Sequence, residues 1–143
     1  MGPQKIKVVF DANIILSFFL TRGETIAAIF TFWQDGLFEV YASPEIITEI
    51  RKVSSYRKLK KYFGKQEMVR LSLLLDRFVK KIYPAEQITF LRDPDDAIYL
   101  EAAKTCKADF LVAGDKDLIS LKAIGKTLIL SPKEFLKIVK KSR

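Results

Sequence analysis

The sequence predicts an α/β fold built on a parallel sheet. Short β-rich apolar runs recur along the chain, stretches of helical apolar spacing separate them, and two of the helices open on the same Ser-Pro device. Strands alternating with helices imply parallel pairing and right-handed crossovers.

Each element has a local reason. Ile6 to Phe10 is a first strand ending at Asp11, and a mostly apolar helix follows from Asn13 to Leu20. Glu24 to Gln34 repeats apolar residues at 26, 29, 30 and 33, and Asp35-Gly36 stops it. Phe38 to Ala42 is a second strand. Ser43-Pro44-Glu45 then starts a helix: a serine cap, a proline where a missing N–H costs nothing, and an acid facing the helix dipole. That helix carries Ile46, Ile47 and Ile50 on one side, with Glu49 at a neighbouring position. Residues 54–65 read as a basic, turn-prone connection with a short helix ending near Gly64. Gln66 to Phe78 is an amphipathic helix through Leu71 and Leu74.

Lys80 to Pro84 offers a short strand, and a helix opens at Pro94 or Asp95 with Ile98, Tyr99, Ala102 and Ala103 inward. Asp109 to Ala113 is a near-continuous apolar strand, which implies burial on both faces. Thr127 to Leu130 is the last strand, and Ser131-Pro132-Lys133-Glu134 repeats the helix start.

The 143 residues suit one domain with a single core, preceded by a short polar leader over residues 1–5. No apolar run reaches the ~18 residues of a membrane span. The lone Cys106 cannot form an internal disulfide, so a reducing, cytoplasmic setting is expected. The chain has no histidine, which excludes Ser-His-Asp and Cys-His catalysis and His-ligated zinc.

The net charge of +8 is unevenly placed. From Arg51 to Lys81, eleven basic residues face only Glu67 and Asp76. Such clusters gain affinity for a polyanion by releasing its counterions. Arg51, Lys52, Arg57, Lys58, Lys60 and Lys61 are the expected RNA contacts, against the simpler reading of a solvated helical surface. Tyr56, Tyr62 and Phe63 are interleaved with them, as stacking platforms or as packing residues.

Four acids fall at strand ends or helix starts: Asp11, Glu49, Asp96 and Asp115. In an open parallel sheet those places share one edge, where ligands bind. Carboxylates converging there repel one another unless a cation neutralises them, and oxygen ligands favour Mg²⁺ or Mn²⁺. Each acid also has a plain structural reading. Glu49 can pair with Arg51 or Lys52, Asp93 is the natural cap in Asp93-Pro94-Asp95-Asp96, and Asp117 suits the start of the next short helix. Asn13 is placed to hold a neighbouring carboxylate. Gly114 is read as allowing a tight turn after a buried strand.

These segments resemble the PIN-domain ribonuclease family, most closely its VapC-like branch of toxins from toxin–antitoxin pairs. The match runs from about Lys7 to Ile138. Asp11-Ala12-Asn13 fits the family's first acidic motif, with Ser17 on a recurrent serine. Ser43-Pro44 to Glu49 fits the second, Asp93 to Asp96 the third, and Gly114-Asp115-Lys116-Asp117-Leu118 the fourth. Two departures stand out: Ala113 where a hydroxyl is usual, and Ala97 where a further acid or amide is frequent. The resemblance implies a three-layer α/β/α sandwich with about five parallel strands and a Mg²⁺/Mn²⁺-dependent endoribonuclease leaving 5′-phosphate and 3′-hydroxyl ends. Asp11, Glu49, Asp96 and Asp115 would be its ligands. It also implies a homodimer silenced by a small antitoxin, and part of the set Phe19, Phe30, Phe32 and Trp33 is expected at that dimer surface.

Two rivals remain at this point. A haloacid-dehalogenase-type phosphatase also uses a strand-terminal Asp, but it needs a second Asp where this chain has Asn13. A non-catalytic RNA-binding module would keep the fold and the basic surface without turnover.

Overall fold

The computed structural model describes residues 5–20, 23–85 and 94–142. In chain order the elements are β1 (Ile6–Phe10), α1 (Ala12–Leu20), α2 (Glu24–Gln34), β2 (Phe38–Ala42), α3 (Pro44–Ser54), α4 (Arg57–Lys60), α5 (Lys65–Arg77) and β3 (Val79–Lys81). They continue as α6 (Pro94–Cys106), β4 (Phe110–Val112), α7 (Lys116–Ser120), β5 (Ala123–Ile124), β6 (Thr127–Leu130) and α8 (Pro132–Ser142). Among the described residues, no single helix is long and apolar enough to cross a membrane.

The sheet order is β3-β2-β1-β4-β6-β5, parallel except for the β5–β6 pair. Among the described residues the sheet thus has six strands, beside the about five expected. The additional one, β5, is two residues long and pairs antiparallel as Ala123 with Leu128 and Ile124 with Thr127. Its turn uses Gly125 at φ 56°, a left-handed conformation that suits glycine. Two residues carry no periodicity to read. The expected strand over Lys80 to Pro84 is shifted to Val79–Lys81, because Val79 supplies the buried side chain, in register with Val40.

Alternation of side chains splits the core in two. On one face Phe10, Phe38 and Phe110 meet α1, α2 and α8. Phe10 touches Phe18, Trp33, Phe38 and Phe135 in edge-on pairs, with ring centroids 5.6–6.1 Å apart. Each fully buried ring contributes about 1.5–3 kcal/mol by leaving water. On the other face, α6 lies across β1, β2 and β4 and also packs against α3. The result is the three-layer sandwich.

Trp33 and Phe32 belong to the core, not to a partner surface. Trp33 is held by Phe10, Phe18, Phe30 and Phe38. Phe19 and Phe30 are half-buried and line an apolar groove of about 470 Å³ with Leu73 and Phe78 of the α5 side.

The serine caps form as read. The Ser43 hydroxyl accepts from the Ile46 N–H at 3.2 Å, and the Ser131 hydroxyl accepts from the Glu134 N–H at 3.3 Å. Ser43 points α3 back from the end of β2, which fixes where Glu49 emerges.

Candidate metal centre

β1 and β4 are parallel neighbours, with Phe10 opposite Val112, so their carboxyl ends lie side by side. The chain leaves β1 at Asp11 and β4 at Ala113-Gly114-Asp115. Asp11 is only 4 % exposed and is the N-cap of α1. Its Oδ1 accepts from the Ile14 N–H at 2.9 Å, while Oδ2 accepts from the Gly114 N–H at 3.0 Å. One carboxylate thus starts a helix and ties the two strand ends together.

Burial raises the Asp11 pKa above the ordinary carboxylate value, and the nearby Asp115 charge adds to the rise. Hydrogen bonds from the backbone at Ile14, Gly114 and Asn13 partly offset it. Asn13 itself is exposed, so its contribution comes from the main chain. Gly114 is also needed for its N–H more than for its lack of a side chain. A Cβ there would meet nothing within 4 Å.

Asp96, Asp115 and Asp117 each bring a carboxylate oxygen within 4.8 Å of the others. Asp96 is buried, Asp115 half-buried and Asp117 exposed, so the cluster opens to solvent from one side. The capping roles differ from expectation. Asp115, not Asp117, is the N-cap of α7, accepting from the Asp117 N–H at 2.9 Å. That turn leaves the Asp117 side chain facing Asp96. The helix starts of α1, α6 and α7 all meet here, and their N-terminal dipoles favour the negative charge.

Glu49 is half-buried on α3 and lies outside that trio. It lines a groove of about 410 Å³ with Glu45, Thr48 and Lys52 of α3 and Asp95 and Ile98 of α6. Ser17 donates to the Ile14 carbonyl at 2.5 Å, a bond within its own helix. Asp93 lies outside the described residues. Arg51, Lys52, Arg57, Lys58, Lys60 and Lys61 are all exposed. Ala113 is fully buried, with its N–H donated to Leu130, so the missing hydroxyl belongs to the sheet interior.

The side chain that sequence reasoning passed over is Tyr99. Three residues beyond Asp96, it shares that helix face. Its phenol oxygen accepts from the Ala12 N–H at 3.2 Å, and the ring is buried. The Tyr99 pKa is raised, first by burial and then by the charges of Asp11, Glu49 and Asp96. The phenol therefore stays protonated among three carboxylates, and it is where the influence of Glu49 meets that of Asp11 and Asp96.

The donor set is oxygen only. Two ligands opposite each other on Mg²⁺ are about 4.2 Å apart, given ~2.1 Å bonds. Adjacent ligands are closer, about 3.0 Å apart on the same ~2.1 Å bonds, so the three oxygens, now within 4.8 Å of one another, fit a hard divalent cation once side-chain rotation draws them inward.

The comparisons with known proteins agree with this architecture. The chain is 32 % identical over 145 aligned residues to the uncharacterized protein MJ1680 of Methanocaldococcus jannaschii, covering 95 % of this chain and 93 % of that one. Its fold is similar to that in the crystal structure of VapBC2 from Rickettsia felis bound to a DNA fragment from their promoter. The TM-score is 0.60 at 15 % identity, over 87 % of this chain and 97 % of the other. A family model described as PIN domain matches residues 7–117, from the first strand through the last acid of the cluster, and the chain belongs to that family.

Proposed function

We propose that the protein is a Mg²⁺- or Mn²⁺-dependent endoribonuclease and the toxin of a toxin–antitoxin pair, a cytoplasmic homodimer silenced by a small antitoxin. The observation that carries the nuclease reading is the convergence of Asp96, Asp115 and Asp117 at the carboxyl edge of the sheet. A bound divalent cation supplies an activated water and neutralises charge at the phosphodiester. Asp96 and Asp115 would hold it, with Asp117 on the solvent side, and Glu49 lines a groove between α3 and α6 beside Asp95. Asp11 acts by locking the β1 and β4 ends in place, so that Asp115 is presented to the cluster. Lys52, in the groove beside Glu49, is placed to grip a substrate phosphate. The exposed cations of α3 and α4 retain the rest of the strand.

The test is cleavage of labelled RNA by purified protein with Mn²⁺ or with EDTA. Cleavage is expected only with the metal and is lost in Asp96→Asn and Asp115→Asn. EDTA-resistant cleavage that persists in both variants refutes the reading. The toxin assignment draws on the likeness to a VapBC2 structure and on the sequence resemblance. It requires growth arrest on expression, relieved by Asp96→Asn; growth unaffected by the wild-type chain removes it.

A further inference from the structure

The chain between α3 and α5 holds two aromatic rings out of the core. Tyr56 precedes α4 and Tyr62 follows it, 45 % and 43 % exposed. Exposure here is not a sign of a loose turn. Phe63 is buried, 6.0 Å from the Phe19 ring, and Leu59 packs against the core. The Leu59 and Lys60 N–H groups both bond to the Tyr56 carbonyl, at 2.9 and 3.0 Å. A turn anchored at its centre and its end thus presents both tyrosines to solvent.

The charge around them is of one sign. From Arg51 to Gln66 there is no acidic residue, while Arg51, Lys52, Arg57, Lys58, Lys60 and Lys61 are all exposed. The Lys61 ammonium lies 5.1 Å from the Tyr62 ring centre. Cations beside half-free aromatic faces match a ligand that is both polyanionic and flat-ringed. An unpaired nucleotide strand has both properties, whereas a duplex keeps its bases stacked on each other and offers only its backbone.

The position also fits. Tyr56 follows Glu49 by seven residues, two of them beyond the end of α3 at Ser54. Lys52 lies between them, in the groove shared with Glu49 and Asp95.

We propose that Tyr56 and Tyr62 form a base-stacking subsite for unpaired nucleotides, served by the surrounding cations and continuous with the acidic groove. The subsite rests on the nuclease reading only for its purpose; its ligand follows from the surface itself.

The test is fluorescence anisotropy of the full chain in EDTA, where no turnover occurs. Three labelled probes of equal length are used: a single-stranded RNA, a duplex RNA and an abasic strand. Tyr56→Ala and Tyr62→Ala should each weaken single-strand binding about tenfold, the usual effect of removing one stacking ring. Tyr→Phe at either position should retain it. Duplex and abasic binding, carried by charge, should not change. Wild-type affinity for the single strand in the double alanine variant overturns the proposal, as does an equal loss on the abasic probe. Circular dichroism melting verifies that the variants fold. Because binding is read without metal, a wild-type protein that stacks RNA but never cuts it sinks the nuclease reading and leaves the subsite standing.

Discussion

Replacing Tyr99 by phenylalanine removes a single oxygen from the centre of the site. The ring keeps its packing, but the Ala12 N–H at the first turn of α1 loses its acceptor at 3.2 Å. Ala12 is 4 % exposed, so water does not readily take over. Leaving such a donor unpaired costs about 1–3 kcal/mol, and no longer burying a hydroxyl offsets part of that. At ~2.1 cal/mol/K per residue, 143 residues give an unfolding entropy of about 0.3 kcal/mol/K. The melting temperature of the metal-free protein should fall by about 3–6 °C, measured by scanning calorimetry near neutral pH. The hydroxyl has a second consequence, because it lies in the field of the Asp11, Glu49 and Asp96 charges. Groups that orient metal ligands typically change affinity by about ten- to a hundredfold when removed. Calorimetric titration should therefore show Mn²⁺ binding weakened by about tenfold. An unchanged melting temperature would mean that Ala12 finds another acceptor. Unchanged Mn²⁺ affinity would mean that the phenol only caps a helix, and the positioning argument would be refuted.

Asp117→Asn should weaken Mn²⁺ binding about tenfold while leaving the metal-free melting temperature equal or slightly higher, since it removes one of three facing charges; a lower melting temperature with intact affinity counts against a ligand role. Asp11, whose pKa is raised in the folded chain, favours folding below the ordinary carboxylate range and loses that contribution as pH rises through the raised value. The melting temperature of metal-free wild type, minus that of Asp11→Asn, should accordingly decline across that window, and a flat difference would be inconsistent with the burial of the charge. Phe10→Ala, in the middle of four aromatic neighbours, should cost about 3–5 kcal/mol in denaturant unfolding, and a loss under ~1 kcal/mol would contradict the packing described.

Much of this fold is legible in the sequence where one physical signal dominates. α2, β2 and β6 fall on the residues read from periodicity, and both Ser-Pro starts cap as expected. The misreadings arise where tertiary context outweighs a local pattern. β5 is too short for a period, and β3 is set by the burial of Val79, not by the polar lysines after it. The apolar residues of the α1–α2 pair exceed what one core face needs, which is why part of them is expected at a partner surface. Phe32 and Trp33 are instead taken up by the core, where α2 packs against both α1 and α8, while Phe19 and Phe30 line the groove beside α5.

At the site, residue types were readable but their division of labour was not. Nothing in the sequence marks that the strand-terminal Asp11 clasps two backbone N–H groups, at Ile14 and Gly114. Which of Asp115 and Asp117 caps α7 depends on one turn of backbone. Tyr99 reads as packing from spacing alone. Its three-residue offset from Asp96 was the available signal.

The two outermost strands of the sheet are very short, three residues in β3 and two in β5. β3 ends in adjacent exposed lysines, one of them paired with Glu39 on the next strand. Neither border offers a foreign strand a long ladder to extend, and the ammonium groups repel a second copy of the same border. Growth of this molecule into fibrils by sheet addition is disfavoured at both of these borders.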